Sequence, residues 1–215
     1  MVKNKIISLG GSLIVPNKID ITFLKKFKNI IEKRKETFHI ICGGGKTARD
    51  YIKAASKFTK KTDYVGIKST LLNAELMKAL FPKSHKTILT KAKKVKEKII
   101  IYSGNEPNHS SDFDAVEIAS KFKNAEVINL TNVDYVYDKN PKLFKTAKPF
   151  NKISWKEFKK ICGNKWTPGL NLPFDPIGSK LAEKNNIKVI ILNGNNLKNF
   201  ENYLNGKTFK GTIIE

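Results

Sequence analysis

A chain of 215 residues with 40% hydrophobic and 10% aromatic content suits one ordinary domain with its own core and is unlike a disordered segment. No run approaches the roughly 18 apolar residues of a membrane-spanning helix, and a strand-like segment by residue 5 leaves no room for a signal peptide, so a cytoplasmic setting is expected. The formal charge of +22 is almost all lysine spread along the chain, with arginine only at Arg34 and Arg49. That is the pattern of a solvated surface that also attracts anionic nucleotides, rather than of a nucleic-acid reader, which favours arginine.

In chain order, Lys5–Leu9 reads as a short buried strand closed by Gly10-Gly11-Ser12. Asp20 caps a helix whose apolar residues Phe23, Leu24, Phe27, Ile30 and Ile31 recur at helical spacing. A strand over Phe38–Cys42 runs into Gly43-Gly44-Gly45, and helical patterns cover Thr47–Phe58 and Asp63–Leu80. Strands are expected at Thr87–Leu89 and Lys98–Tyr102, around a lysine-rich connector. A loop over Ser103–Ser111 leads into a helix over Asp112–Phe122 and a strand over Glu126–Leu130, followed by a turn-rich stretch to Pro149.

The last third holds a helix over Ser154–Ile161 with a capping box between Ser154 and Glu157. A Gly-, Pro- and Asn-rich loop follows at Gly163–Pro173. Then come a helix over Ile177–Asn185, a strand over Lys188–Leu192, a helix over Leu197–Leu204 and a strand over Thr212–Ile214. Strands alternating with helices imply an α/β fold, a three-layer α/β/α sandwich on a mostly parallel sheet, here as a single domain over 1–215. Cys42 and Cys162 lack metal-like spacing and are expected as reduced thiols, with no protein metal site.

The chemistry concentrates where strands meet glycines. In Cys42-Gly43-Gly44-Gly45-Lys46-Thr47-Ala48-Arg49, glycines without side chains let backbone N–H groups approach an anion, and the helix that follows adds its positive end. Arg49 lies one turn in, where its fork can return toward the same anion. Gly10-Gly11-Ser12 is a second backbone nest. Two phosphate cradles on neighbouring strand ends are what transfer between two phosphorylated ligands needs. Neither turn has the spacing of a P-loop or of Gly-x-Gly-x-x-Gly.

Further stretches then fall in order: Asp63-Tyr-Val-Gly66-Ile-Lys-Ser-Thr70-Leu-Leu-Asn73, Gly104-Asn105 with Ser110-Ser111-Asp112, Thr131-Asn132-Val133-Asp134 with Tyr137, Asp175-Pro176 and Gly211-Thr212. With the two glycine turns, they make the chain resemble the amino acid kinase superfamily and, within it, the archaeal-type UMP kinases, over nearly its whole length. The resemblance implies ATP with Mg²⁺ as donor, UMP as acceptor and a homo-oligomer, hexameric by analogy. Gly10 and Gly11 would hold the ATP phosphates, with Gly44, Gly45 and Arg49 between donor and acceptor. Thr131, Asn132, Tyr137 and Asn140 would line the adenosine site. Asp63, with Gly66 and Thr70 on its helix, would face the nucleoside ribose, and the loop Asn105–Ser111, including Ser110, would hold the uracil and the acceptor phosphate. Asp112 and Asp175 would organise Mg²⁺ or the charged groups around it. Asp112 and Asp63 also have a plainer reading as helix caps.

Ser8 stands where many members of that superfamily carry a lysine, which leaves Lys46 and Lys180 as candidate replacements. Tyr135 replaces a usual glycine, Asn140 a usual aspartate, and Ser110-Ser111 a pair of threonines. Alternative readings are another phosphotransferase of the same superfamily, or a nucleotide-binding protein that has lost catalysis. His39, His85 and His109 are not required as bases, because a phosphate acceptor is already anionic.

Overall fold

The computed structural model describes residues 4–141, 143–163 and 173–215. Their chain order is β1 (Asn4–Leu9), α1 (Gly11–Ile14), α2 (Ile21–Glu32), β2 (Thr37–Cys42), α3 (Gly45–Ala55), α4 (Asp63–Leu80), β3 (Ile99–Tyr102), α5 (Ser111–Ala119) and β4 (Glu126–Thr131). They continue with β5 (Val136–Tyr137), β6 (Pro149–Phe150), β7 (Lys152–Ile153), α6 (Trp155–Cys162), α7 (Pro176–Lys184), β8 (Lys188–Asn193), α8 (Leu197–Leu204) and β9 (Thr212–Ile214).

Seven strands form one sheet in the order β3-β2-β1-β4-β8-β9-β7. The five from β3 to β8 are parallel, β9 runs antiparallel to β8, and β7 pairs parallel to β9. β1 sits between β2 and β4, so successive strands are laid down first on one side of it and then on the other. A parallel sheet opens a crevice beyond its carboxyl ends at such a reversal.

Alternate residues of the same strands feed two cores. Ile7, Leu9, Ile40, Cys42, Ile128, Leu130, Ile190 and Leu192 face α1, α2, α4 and α8. Ile6, Ile41, Ile100, Val127, Val189 and Ile191 face α5, α6 and α7. A strand buried on both faces must be apolar at nearly every position, which is how these segments read. Polar exceptions on the second face include His39, Ser8 and Asn129, and Ser8 and Asn129 are register partners near the carboxyl ends of β1 and β4; on the first face the buried Lys5 is paired with Glu126.

Local signals set several boundaries. Asp20 accepts from the Phe23 N–H at 2.8 Å, capping α2, and Ser154 and Glu157 complete a capping box on α6. The expected strand at Thr87–Leu89 is reduced to one parallel bridge between Leu89 and Tyr102. Only Ile88 and Leu89 there can pack inward before lysines take over, too short a run for a ladder at a sheet edge. The turn-rich stretch before Pro149 holds an antiparallel pair, β5 with β6, and β7 then joins the sheet. Most of the expected loop at Gly163–Pro173 lies outside the described residues. No described helix is long and apolar enough to cross a membrane.

Candidate active site

The two glycine turns meet. Both leave neighbouring parallel strands at the same end, and the Gly43 N–H donates to the Leu9 carbonyl at 2.9 Å while the Lys46 N–H donates to that of Val15 at 3.0 Å. A methyl group on Gly11 would lie 2.0 Å from the Gly45 nitrogen and 2.6 Å from the Gly43 oxygen. Gly45 has φ +63° and its own missing Cβ would lie 2.3 Å from the Gly11 oxygen. Two backbones in direct contact leave no space for any side chain, so glycine is required on both turns.

The neighbouring tips continue the row. The Gly10 N–H donates to the Leu130 carbonyl at 3.0 Å, and Gly194 N–H to that of Thr131 at 2.8 Å. Gly10 therefore shapes its turn and does not offer its own amide. The N–H groups of Gly11, Ser12, Gly44 and Gly45 have no acceptor among the described residues. Unpaired amides clustered at the edge of a sheet, with the N-terminus of α3 among them, attract an anion.

α4 supports these turns from behind. Asn73, 3% exposed, donates its side-chain amide to the Gly43 carbonyl at 2.7 Å. Gly44 and Gly66 sit in the seam between α3 and α4, where added methyl groups would meet Ala48 and Ile52. Thr70 donates to the Ile67 carbonyl at 2.7 Å and accepts the Gly104 N–H at 2.8 Å, while Asp63 accepts the Asn108 N–H at 3.3 Å. Two polar contacts thus clamp the loop after β3 to α4. Asp63 lies in the first turn of α4 but does not cap it; the N-cap position is Thr62.

The other face carries two carboxylates. Ser8 donates to Asp112 at 2.8 Å. Burial pushes the Asp112 carboxyl up to about 7, the Ser8 bond opposes that, and the Asp175 charge adds to it. Asp175 is fully engaged: one oxygen accepts the Ile177 and Gly178 N–H groups at 2.6 and 3.0 Å, capping α7, and the other accepts the Ser110 hydroxyl. Ser110 in turn caps α5, so the cap there is not Asp112. Among the described residues no group of three or more His, Cys, Asp or Glu side chains could hold a metal ion. This donor set would suit only a cation carried mainly by phosphate oxygens rather than by protein ligands.

The cations divide differently from the sequence expectation. Lys46 is held by both oxygens of Asp50 at 2.6 and 2.7 Å, and Lys180 is exposed on α7. Arg34 is built into the fold, donating to Glu36, to Asn205 at 2.6 Å and to the Leu204 carbonyl at 2.5 Å. Arg49 is exposed and has no partner among the described residues, so none of these folds its fork back over the glycine turns.

At the tips of β4 and β8, Thr131 is half-buried and Asn132 exposed, Asn193 donates to Asp134 at 2.9 Å, and Tyr137 sits on β5 with its ring edge-on to Tyr135. The Asn140 carbonyl accepts N–H groups from Leu143 and Phe144 in the next turn. Ser111 opens α5 and Asn105 lies in the clamped loop. The structure thus brings the glycine turns, Asp63, Thr70, the Asn105–Ser111 loop, Asp112 and Asp175 to one end of the sheet.

Sequence reasoning gave no part to the support of Asn73, the Ser8–Asp112 bond or the buried Asp114. The first two had a trace in the sequence: Asn73 stands in the Asp63–Asn73 stretch, and Ser8 is a polar residue inside the apolar run Ile-Ile-Ser-Leu.

An open, mostly parallel α/β sheet with two backbone nests pressed together at its topological reversal belongs to the class that handles phosphorylated ligands in pairs. The sequence matches the Amino acid kinase family over residues 3–193, and the chain belongs to that family. It is similar to the uridylate kinases of Thermoplasma acidophilum, 32% identical over 220 residues with 98% of this chain and 96% of the relative covered, and of Pyrococcus abyssi, 32% over 223 residues with 98% of each. The crystal structure of uridylate kinase from Archaeoglobus fulgidus superposes with a TM-score of 0.83 at 28% identity, covering 98% of this chain and 99% of the other. That of UMP kinase from Ureaplasma parvum gives a TM-score of 0.83 at 21% identity, covering 100% of this chain and 99% of the other, a likeness of fold.

Proposed function

We propose that this protein is a UMP kinase, transferring the γ-phosphoryl group of ATP to UMP to give UDP and ADP. The observation that carries this reading is the backbone contact between the two glycine turns, which leaves unpaired N–H groups on both. Near full-length similarity to uridylate kinases supports the choice of acceptor.

In this reading one domain over 1–215 holds both nucleotides. An oxygen of the UMP phosphate forms the new bond to the γ-phosphorus as the bond to the bridging oxygen of ADP breaks. No base is needed, because the attacking oxygen is already an anion. Catalysis consists of aligning two anions and cancelling their repulsion. Gly11 and Ser12 hold the donor phosphates, in a turn shaped by Gly10. Gly44 and Gly45 face the group in transfer, and Arg49, exposed one turn into α3, would swing onto it once the anion is bound. Asp63 meets the ribose of UMP, Asn105, Ser110 and Ser111 belong to its loop, and Gly66 and Thr70 support that site. Thr131, Asn132, Tyr137 and Asn140 line the adenosine. Asp112 would stand beside Mg²⁺ brought in with ATP, which would supply neutralising charge, and Asp175 holds the loop through Ser110. Lys46, tied to Asp50, keeps the first turn of α3 in place.

A cytoplasmic homo-oligomer, hexameric as an extension, fits the surface of α3 and α4. Tyr51 on α3, Phe58 in the turn after it, and Tyr64 and Leu72 on α4 are 62–88% exposed, an unusual set of large apolar groups to leave in water. Light scattering on the purified chain tests the assembly.

The test of function is ADP release coupled to UMP, CMP, dUMP and isopentenyl phosphate, with Arg49→Ala as the control. UMP is expected to be preferred, and Arg49→Ala to lower kcat/KM by about 10²–10³, the order seen when one charge-stabilising donor is removed. Preference for a non-nucleotide acceptor overturns the assignment, as does nucleotide-dependent stabilisation without ADP production.

A further inference from the structure

Asp114 is a buried carboxylate with few groups to hold it. It is 2% exposed on α5, between the half-buried Phe113 and the buried Ala115; neither oxygen has a hydrogen bond of good geometry, and the nearby Asn105 N–H only partly offsets the burial that raises its pKa. An apolar residue would cost less there, since a buried acid without partners is penalised. The described residues hold three other buried side-chain atoms in that condition: His85 Nε2, Trp155 Nε1 and His109 Nδ1. The last faces Asp114, with Nδ1 3.6 Å from Oδ1. That gap is slightly beyond a hydrogen bond, yet it joins an unpaired donor site to an unpaired acceptor.

The histidine belongs to the loop clamped against α4. Asn108, its neighbour, has φ +64° and donates to Asp63, while the Gly104 N–H is held by Thr70. The ring lies against Phe113, centroids 4.2 Å apart; Nδ1 is buried while the side chain as a whole is 26% exposed. One edge of the imidazole is therefore aimed at a buried carboxylate and the other is open. A carboxylate beside Nδ1 keeps the proton on that nitrogen, which leaves a lone pair on Nε2.

We propose that Asp114 is a positioning residue: it fixes His109 as the Nδ1–H tautomer, and Nε2 then accepts from the imide N–H that uracil carries and cytosine lacks. Cytosine presents a lone pair at that ring position, and two lone pairs repel. Asp114 would thus take part in choosing UMP over CMP without touching either. This inference rests on the UMP kinase reading.

Two measurements test it. The ¹⁵N shifts of the imidazole nitrogens report the tautomer of His109 in the free protein and in Asp114→Leu. Steady-state kinetics with UMP and CMP on wild type, Asp114→Leu and Asp114→Asn report discrimination. The expected result is an Nδ1–H tautomer in wild type that is lost in Asp114→Leu. The ratio of kcat/KM for UMP over CMP should fall about 10–100-fold, the range for one misplaced polar contact. The change should sit mainly in KM for UMP, with KM for ATP unchanged. Thermal stability of Asp114→Leu should hold or rise, whereas a residue kept only for the fold would lower it. An Nε2–H tautomer in wild type, or transfer to UMP with an unmoved ratio in both variants, overturns the role of Asp114 alone. Failure of the wild type to phosphorylate UMP overturns the functional reading and this role together.

Discussion

Replacing Gly11 with alanine puts a carbon 2.0 Å from the Gly45 nitrogen, 2.5 Å from the Gly43 carbonyl carbon and 2.6 Å from its oxygen, where ordinary contact begins at 3.4 Å. All three atoms are backbone, so no side chain can rotate away. The turns have to part by more than an ångström, against the Gly43–Leu9 and Lys46–Val15 hydrogen bonds that join them. Overpacking costs about 1–3 kcal/mol and two weakened hydrogen bonds about 1 kcal/mol each, so the total is about 3–5 kcal/mol. Gly206→Ala is the matched control: φ is +67° there but nothing lies within 4 Å. It carries only the left-handed backbone cost of about 1–2 kcal/mol. Urea unfolding of both variants gives the two costs, and Gly11→Ala should also raise KM for both substrates. If Gly11→Ala costs no more than Gly206→Ala, the two turns are not in contact and the picture of a shared phosphate cradle is wrong.

Three other perturbations follow from the same structure. Asp175→Ala removes the α7 cap and the partner of Ser110, and should cost about 1–3 kcal/mol in urea unfolding, with Asp175→Asn recovering part of it. Thr212→Val leaves the buried Val136 N–H without its acceptor at 2.9 Å, so a loss of about 1–3 kcal/mol is expected by the same measurement. His39, 1% exposed and hydrogen-bonded to Tyr102 at 2.8 Å, has its pKa lowered from 6.5 to about 4 by burial. Its neutral form is favoured in the fold, so its contribution is complete above pH 6.5 and is lost as pH falls toward 4. At about 1.4 kcal/mol per pH unit this amounts to about 3 kcal/mol, and His39→Gln should remove that much of the stability difference between pH 7.5 and pH 4.5.

Much of the architecture was legible because its determinants are local. The span Asp63–Leu80 is the helix expected from the sequence, and so is Leu197–Leu204. Glycines after apolar strands marked the carboxyl end of the sheet, where such turns collect because the strands run parallel. What could not be read depends on which distant segments meet. Asn73 reaches Gly43 across 30 positions, Ser8 reaches Asp112 across 104, and Ser110 reaches Asp175 across 65. No spacing rule links such pairs. The strand expected at Thr87–Leu89 failed for an edge reason: apolar content was counted, but the partner on its outer side is missing. The fork of Arg49 was expected over the glycine turns, and it stands exposed because none of the described residues offers it an acceptor there.

The contact between Gly11 and the Gly43–Gly45 turn has a consequence for how this enzyme could change. With no side chain between the two nests, there is no lever by which one could be widened while its neighbour stays in place. Selection for a bulkier phosphate donor would therefore disturb acceptor binding in the same step. On the proposed placement of the phosphates, new substrate preferences should arise at the sugar and base ends of the nucleotides, while the glycine turns stay unaltered.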